Sequence, residues 1–158
     1  MAALPAGRWT PNVTVAAIVE ADGRYLLVEE QAADGLRLNN PAGHLEAGES
    51  LLQAVVREVL EETACDFTPT HLVGVYLAPP SEPAKPSYLR FAFCGSVGAP
   101  RPGQPLDDGI VRTLWLTPAE IEAERHRHRS ALLGRCIQDH RAGVRHPLSL
   151  LHWEAAST

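Results

Sequence analysis

Five carboxylates crowd the stretch from Gly43 to Cys65: Glu46, Glu49, Glu58, Glu61 and Glu62, with Arg57 as the one arginine among them. Like charges at this density repel one another unless a cation joins them. The segment Ser50 to Thr63 has the periodicity of a helix, in which each residue advances about 100° around the axis. With Glu58 as reference, Glu62 falls at about +40° and Glu61 at about −60°, so the three carboxylates share one face. Leu52, Val56, Val59, Leu60 and Thr63 fall on the opposite side, and no lysine stands four residues on to pair with the acids. Oxygen ligands clustered without histidine or cysteine among them suit a hard divalent cation, Mg²⁺ or Mn²⁺, and not Zn²⁺. Beside a pyrophosphate such an ion neutralises charge on oxygen, polarises phosphorus and lowers the pKa of bound water. A neighbouring carboxylate can take that water's proton. The chemistry this points to is attack of water on a phosphorus of a phosphoanhydride. Glu58 and Glu62, one turn apart, can hold one ion together, and Glu61 can hold a second or act as base.

Elements must carry this cluster. Residues 1–11 read as a loose lead-in. Val13 to Glu20 is β-branched and apolar, a buried strand, and Arg24 to Glu30 is its hairpin partner across Ala21-Asp22-Gly23. Leu36 to Asn40 reads as a short strand broken by Pro41-Ala42-Gly43. Ser50, with Gln53 three residues on, forms a capping-box pattern at the helix start. Strands follow at His71 to Ala78, Tyr88 to Val97 and Ile110 to Leu116, with proline-rich loops between them. Thr117-Pro118 opens a helix running to about Ala123, and a second helical segment runs from Ser130 to about Arg141. Residues 142–158 give no clear pattern. This order predicts an α+β fold, a mixed sheet with helices packed on it as an α/β/α sandwich.

The whole chain bounds the function. Its 158 residues suit one domain with a sizeable core, here residues 1–158. A net charge of −5 argues against a nucleic-acid polymer or an anionic membrane as partner. Cys65, Cys94 and Cys136 are scattered and odd in number, which fits buried thiols in a reducing compartment. No signal-like or membrane-spanning apolar run is visible, so the expected location is cytoplasmic.

Gly43, Glu49, Arg57, Glu58, Val59, Glu61 and Glu62 together read G-x5-E-x7-R-E-[apolar]-x-E-E. This resembles the Nudix box, the signature of the Nudix hydrolase family. Six specified residue types at fixed spacing arise by chance on the order of 10⁻⁷ per start. The likeness covers about residues 12 to 153. It implies the Nudix fold and a Mg²⁺-dependent hydrolase, with Mn²⁺ as a substitute ion. The family assigns metal binding to Glu58, Glu61 and Glu62 with the backbone carbonyl of Gly43, and has Arg57 orient Glu58 together with Glu49. Which glutamate is the base varies among members and stays open. The run NNPAGHLEAGESLLQAVVREVLEET is similar to the NudJ-type phosphatase branch, which implies nucleoside di- or triphosphates or thiamin-type pyrophosphates as substrates. The expected state is monomer or homodimer.

Two departures stand out. Ala64 replaces the family's exit glycine, and alanine tolerates positive φ less well. Leu38 stands where that branch tends to have tryptophan, which removes a ring able to stack on a base.

Outside the box, Arg90, Asn39, His44 and Asp108 are candidate substrate contacts. Asp107 and Asp108 share a loop where the family often places a further carboxylate. Tyr76 or Tyr88 could stack on a ring or pack in the core. The run Arg125-His126-Arg127-His128-Arg129 reads as a solvated link between helices. The alternatives are non-hydrolytic chemistry or a silent nucleotide-binding module on the same fold. The module would lack box glutamates, and all are present. Non-hydrolytic chemistry would want further acids, histidines or cysteines placed for it.

Overall fold

Alternation of apolar residues along four strands builds two hydrophobic layers, one on each side of a sheet. Val15, Ala17, Val19, Leu26, Leu72 and Phe93 point to one side, where Ala54, Val55 and Val59 of a helix meet them. Ile18, Tyr25, Leu27, Val73, Ala92 and Cys94 point to the other, against Ile121, Leu133, Cys136 and Ile137 of two more helices. A computed structural model, describing residues 7–80 and 82–157, shows this arrangement. Residues 1–6 of the expected lead-in lie outside the described residues.

The strands are β1 (Asn12–Ala21), β2 (Arg24–Ala32), β3 (Gly35–Asn39), β4 (Ala42–His44), β5 (Phe67–Ala78), β6 (Tyr88–Val97), β7 (Ile110–Leu116) and β8 (His146–Pro147). The helices are α1 (Leu51–Thr63), α2 (Pro118–Ala123) and α3 (Leu132–Arg141), with 3-10 turns at Arg125–Arg127 and Leu148–Leu150. The sheet runs β3-β2-β1-β6-β5-β8, with β4 also on β1 and β7 on β2. β1 and β6 are parallel and the other pairings antiparallel, so the sheet is mixed. The fold is α+β, with α1 on one face and α2 and α3 on the other. Among the described residues no helix is long and apolar enough to cross a membrane.

Three local outcomes differ from the sequence expectation. Pro41 does end β3, but Ala42–His44 then form β4, pairing with Val15 and its neighbours on β1. The carbonyl of Pro41 accepts the Ala17 N–H at 2.9 Å, so the proline turns the chain without leaving the sheet. β5 begins at Phe67, earlier than His71; Pro69, which lacks a donor, is absorbed by a register shift between Pro69 and His71. In the tail, His146 and Pro147 pair with Leu72 and His71.

α1 is rotated from the simple picture of an acidic face opposite an apolar one. It buries Ala54, Val55, Glu58, Val59, Glu62 and Thr63, while Leu52, Val56 and Leu60 are only half-buried. Two of the three acids are thus on the sheet side, beneath β4.

Candidate active site

Ser50 caps α1 as its sequence predicts: its hydroxyl accepts the Gln53 N–H at 3.1 Å, and the Gln53 side chain accepts the Ser50 N–H at 2.8 Å. This fixes the first turn and the loop carrying Glu46 and Glu49. At the other end Ala64 adopts the left-handed conformation, φ 62 and ψ 12, with its N–H on the Leu60 carbonyl. The exit geometry a glycine would give is therefore kept by alanine.

Arg57 is the counter-charge that the carboxylates need. Its Nε and Nη2 hold Glu49 bidentately at 3.0 and 2.7 Å. Nη1 donates to Glu58 at 2.8 Å and to Glu61 at 3.2 Å, and Nη2 also reaches the His44 carbonyl at 3.0 Å. Glu46 stands 3.7 Å away. The Arg57 hydrogen bonds hold the Glu49 carboxyl below its ordinary range, and the carboxylates raise the already high pKa of the guanidinium. One planar fork therefore ties the β4 exit, the loop and the helix together.

Glu58 is 8% exposed and Glu62 7%. Burial pushes the Glu58 carboxyl up despite its bond to Arg57. Burial likewise pushes Glu62 up to about 9, with the Ala42 N–H donating to its Oε2 at 3.0 Å. Gly43 lies against Glu58 so closely that a Cβ there would stand 2.1 Å from the Glu58 Cδ. The glycine is a cradle for that carboxylate.

Glu58, Glu61 and Asp107 bring one carboxylate oxygen each to within 4.8 Å of one another. Asp107 is placed by its backbone: its N–H donates to the Glu61 carbonyl at 2.8 Å, while Arg101 N–H meets the Ala64 carbonyl at 2.8 Å. The loop from Gly98 thus closes over the end of α1. All-oxygen donors at this spacing fit a hard divalent cation. Of the two adjacent aspartates, the structure brings Asp107 into the cluster; Asp108 is exposed beside it. Glu62 turns toward the Ala42 amide instead. No spacing rule pointed to Asp107 over Asp108, because a loop hydrogen bond decides between them.

The remaining candidates are spread out. Arg90 and Asn39 are buried and bonded to each other. His44 is exposed at the end of β4, its ring 6.1 Å from that of Tyr88. Tyr76 donates to Asp139 on α3 at 2.8 Å. Leu38 is fully buried, so the departure from tryptophan falls at a core position. In the basic run, Arg125 pairs with Glu122 and Arg127 with Glu29 and Glu124, which makes it a tie between helices and sheet. The three cysteines are free and buried.

The fold and this loop-helix unit define a hydrolase of the Nudix type. The NUDIX domain pattern matches residues 8–134, and the chain belongs to that family. It is 37% identical over 143 residues to phosphatase NudJ of Escherichia coli strain K12, covering 89% of this chain and 90% of that protein. A solved NUDIX hydrolase from Nitrosomonas europaea is 48% identical, covers 94% of this chain and all of its own, and superposes with a TM-score of 0.89. The NUDIX domain of Shewanella oneidensis NrtR, solved with ADP ribose, shares the fold at 17% identity and a TM-score of 0.69, covering 90% of this chain and 94% of its own. The protein is a Nudix hydrolase, and hydrolysis of a pyrophosphate-type bond is its general chemistry.

Proposed function

We propose that this single-domain chain is a Mg²⁺-dependent hydrolase, with Mn²⁺ able to substitute, of a phosphoanhydride bond in a small nucleoside di- or triphosphate or a thiamin-type pyrophosphate. The observation that carries the reading is the convergence of Glu58, Glu61 and Asp107 within 4.8 Å beside Arg57. The name of the NudJ relative, a phosphatase, supports it. Glu58 and Glu61, with Asp107 close by, would hold the ion together with the Gly43 carbonyl that the box resemblance assigns to it, and Glu62 completes the buried acids of the helix. The ion supplies charge neutralisation on the phosphate oxygens and a more acidic water. The chain's own residues do the rest. Arg57 orients Glu58 and Glu61 through Nη1. Glu49 fixes Arg57. One carboxylate of the helix accepts the proton of the attacking water, and the exposed His44 and Asp108 meet the substrate. The reading places the enzyme in the cytoplasm as a monomer or homodimer, with no polymer or membrane partner.

A panel of nucleotides and thiamin pyrophosphate, assayed with Mg²⁺ for release of phosphate or pyrophosphate, tests this. Release from at least one member is expected, and Glu61→Gln should lower that turnover by about 100-fold or more with the fold intact, the scale of losing an acid-base or metal contact. A folded protein that releases nothing across the panel would sink the proposal.

A further inference from the structure

Arg90 is a cation on an interior strand, only 6% exposed, and its bonds among the described residues go to neutral amides. Nη1 donates to Asn40 Oδ1 at 3.1 Å and Nη2 to Asn39 Oδ1 at 3.4 Å. Its Nε has no hydrogen-bond partner among the described residues. The Glu30 carboxylate and the Cys136 thiol also lie within its electrostatic reach, but the directed bonds of its fork go to the two asparagines, and a buried guanidinium holds such bonds tightly. Asn39 and Asn40 are themselves buried and stand directly before Pro41, Ala42 and Gly43. Those three residues touch the acids: the Ala42 N–H holds Glu62 at 3.0 Å, and Gly43 cradles Glu58. Arg90 lies across from Thr14 of β1, which lies across from His44 of β4, so its Cα is in the same row of the sheet as the strand it would steady.

We propose that Arg90 is a positioning residue: its guanidinium fork clamps the side-chain oxygens of Asn39 and Asn40, and so sets the Pro41–Gly43 corner that places Glu62 and Glu58. The clamp's catalytic meaning rests on the metal-site reading above. The fork geometry is why arginine serves here. Its planar donors can engage two successive amides at once, and a lysine ammonium has no such fork. The substrate-contact role expected of Arg90 and Asn39 from sequence gives way to an internal one, since both terminal nitrogens face the asparagines.

The test uses the full chain with Arg90→Met, Arg90→Lys, Asn40→Asp and Asn40→Leu. Three quantities are read: hydrogen exchange of the Ala42 amide in metal-free protein, Mn²⁺ affinity by electron paramagnetic resonance titration, and kcat against KM. Both Arg90 variants should speed Ala42 exchange by about tenfold or more, and should weaken Mn²⁺ binding and kcat by about tenfold or more with KM little changed, the scale of losing a residue that orients metal ligands. Asn40→Asp keeps an oxygen on Nη1 and should stay within about threefold of wild type in all three, as expected when the supporting bond is retained. Wild-type Ala42 exchange in a folded Arg90→Met protein would overturn the clamp. So would a rise in KM alone, which would assign Arg90 to the substrate. Should the Arg90 variants fail to fold, Asn40→Leu carries the same test with the arginine in place. Wild-type exchange in that variant, or equal damage in Asn40→Asp, would overturn the proposal. If the wild-type chain binds no Mn²⁺, the metal reading fails on its own, and Ala42 exchange still decides the clamp.

Discussion

Gly43 is where a side chain would collide with a carboxylate of the cluster. A methyl group there would overlap the Glu58 carboxyl, 2.1 Å from its Cδ. The overlapped group is the end of a side chain, so the fold can survive by swinging Glu58 away. Gly43→Ala should therefore lower kcat by about 100-fold, the scale of losing a metal contact, while the circular dichroism spectrum stays that of wild type. Wild-type kcat in the Gly43→Ala variant would show that Glu58 need not occupy this position. At this scale the helix acids and Arg57 are legible because one helix fixes their spacing, and Gly43 through the box pattern, while its place against Glu58 is set by the pairing of β4 with β1. Asp107 was legible only as one of two adjacent aspartates. Its choice depends on where the Asp107 N–H finds a carbonyl, the Glu61 oxygen at 2.8 Å, and sequence spacing carries no such information. Arg90 was visible as a candidate substrate contact, but its two asparagine partners come from a distant strand end, which spacing does not show.

The elements were legible where local chemistry sets them. The capping boxes at Ser50 and Thr117 start α1 and α2 as their residues dictate, and Tyr88–Val97 and Ile110–Leu116 have the expected bounds. What local chemistry left open was set by tertiary pairing. β4 exists because β1 offers it an edge, β8 because β5 does, and α1 is rotated so that Glu62 takes the Ala42 N–H of β4 and Glu58 packs against Gly43. The Thr117 cap is a clean place to test element-level energetics. Its hydroxyl accepts the Glu120 N–H at 3.3 Å, and the Glu120 carboxylate accepts the Thr117 N–H at 2.7 Å. Thr117→Ala should cost about 1 kcal/mol in urea denaturation. α2 packs on the sheet face opposite α1, so Mn²⁺ affinity should be unchanged. A drop in Mn²⁺ affinity would mean that the two faces are coupled.

At the scale of the molecule, two charge systems tie layers together and respond differently to solution conditions. Glu29, 3% exposed, sits on β2 opposite Arg112 of β7 and takes hydrogen bonds from Arg112 at 3.0 Å and Arg127 at 2.6 Å. Burial alone would raise its carboxyl, but the two arginines prevail and hold it below the ordinary 4.5. A lowered folded pKa means that this stabilisation is present above the unfolded value and fades as pH falls through the folded one. Glu29→Gln should cost about 1–2 kcal/mol at pH 7, since the carboxylate is buried but Arg112 is largely in solvent, and its difference from wild type should shrink progressively below the ordinary 4.5. A pH-independent difference would deny the charge its role. The second system is the acid cluster, where Glu58, Glu61 and Asp107 converge with Arg57 as the cation bonded to Glu58 and Glu61. A divalent cation that binds only the folded arrangement must stabilise it by mass action, about 2.7 kcal/mol at a hundredfold excess over its dissociation constant. For a domain of this size each kcal/mol moves Tm by about 2–4 °C. Saturating Mg²⁺ or Mn²⁺ should therefore raise Tm by about 5–10 °C, chelation should reverse the shift, and Glu61→Gln should largely abolish it. Because Glu29 lies outside the cluster, Glu29→Gln should lower Tm and keep the metal shift whole, so the two systems can be separated in one thermal experiment. A wild-type protein whose Tm ignores both ions would show that the acids are held by Arg57 alone.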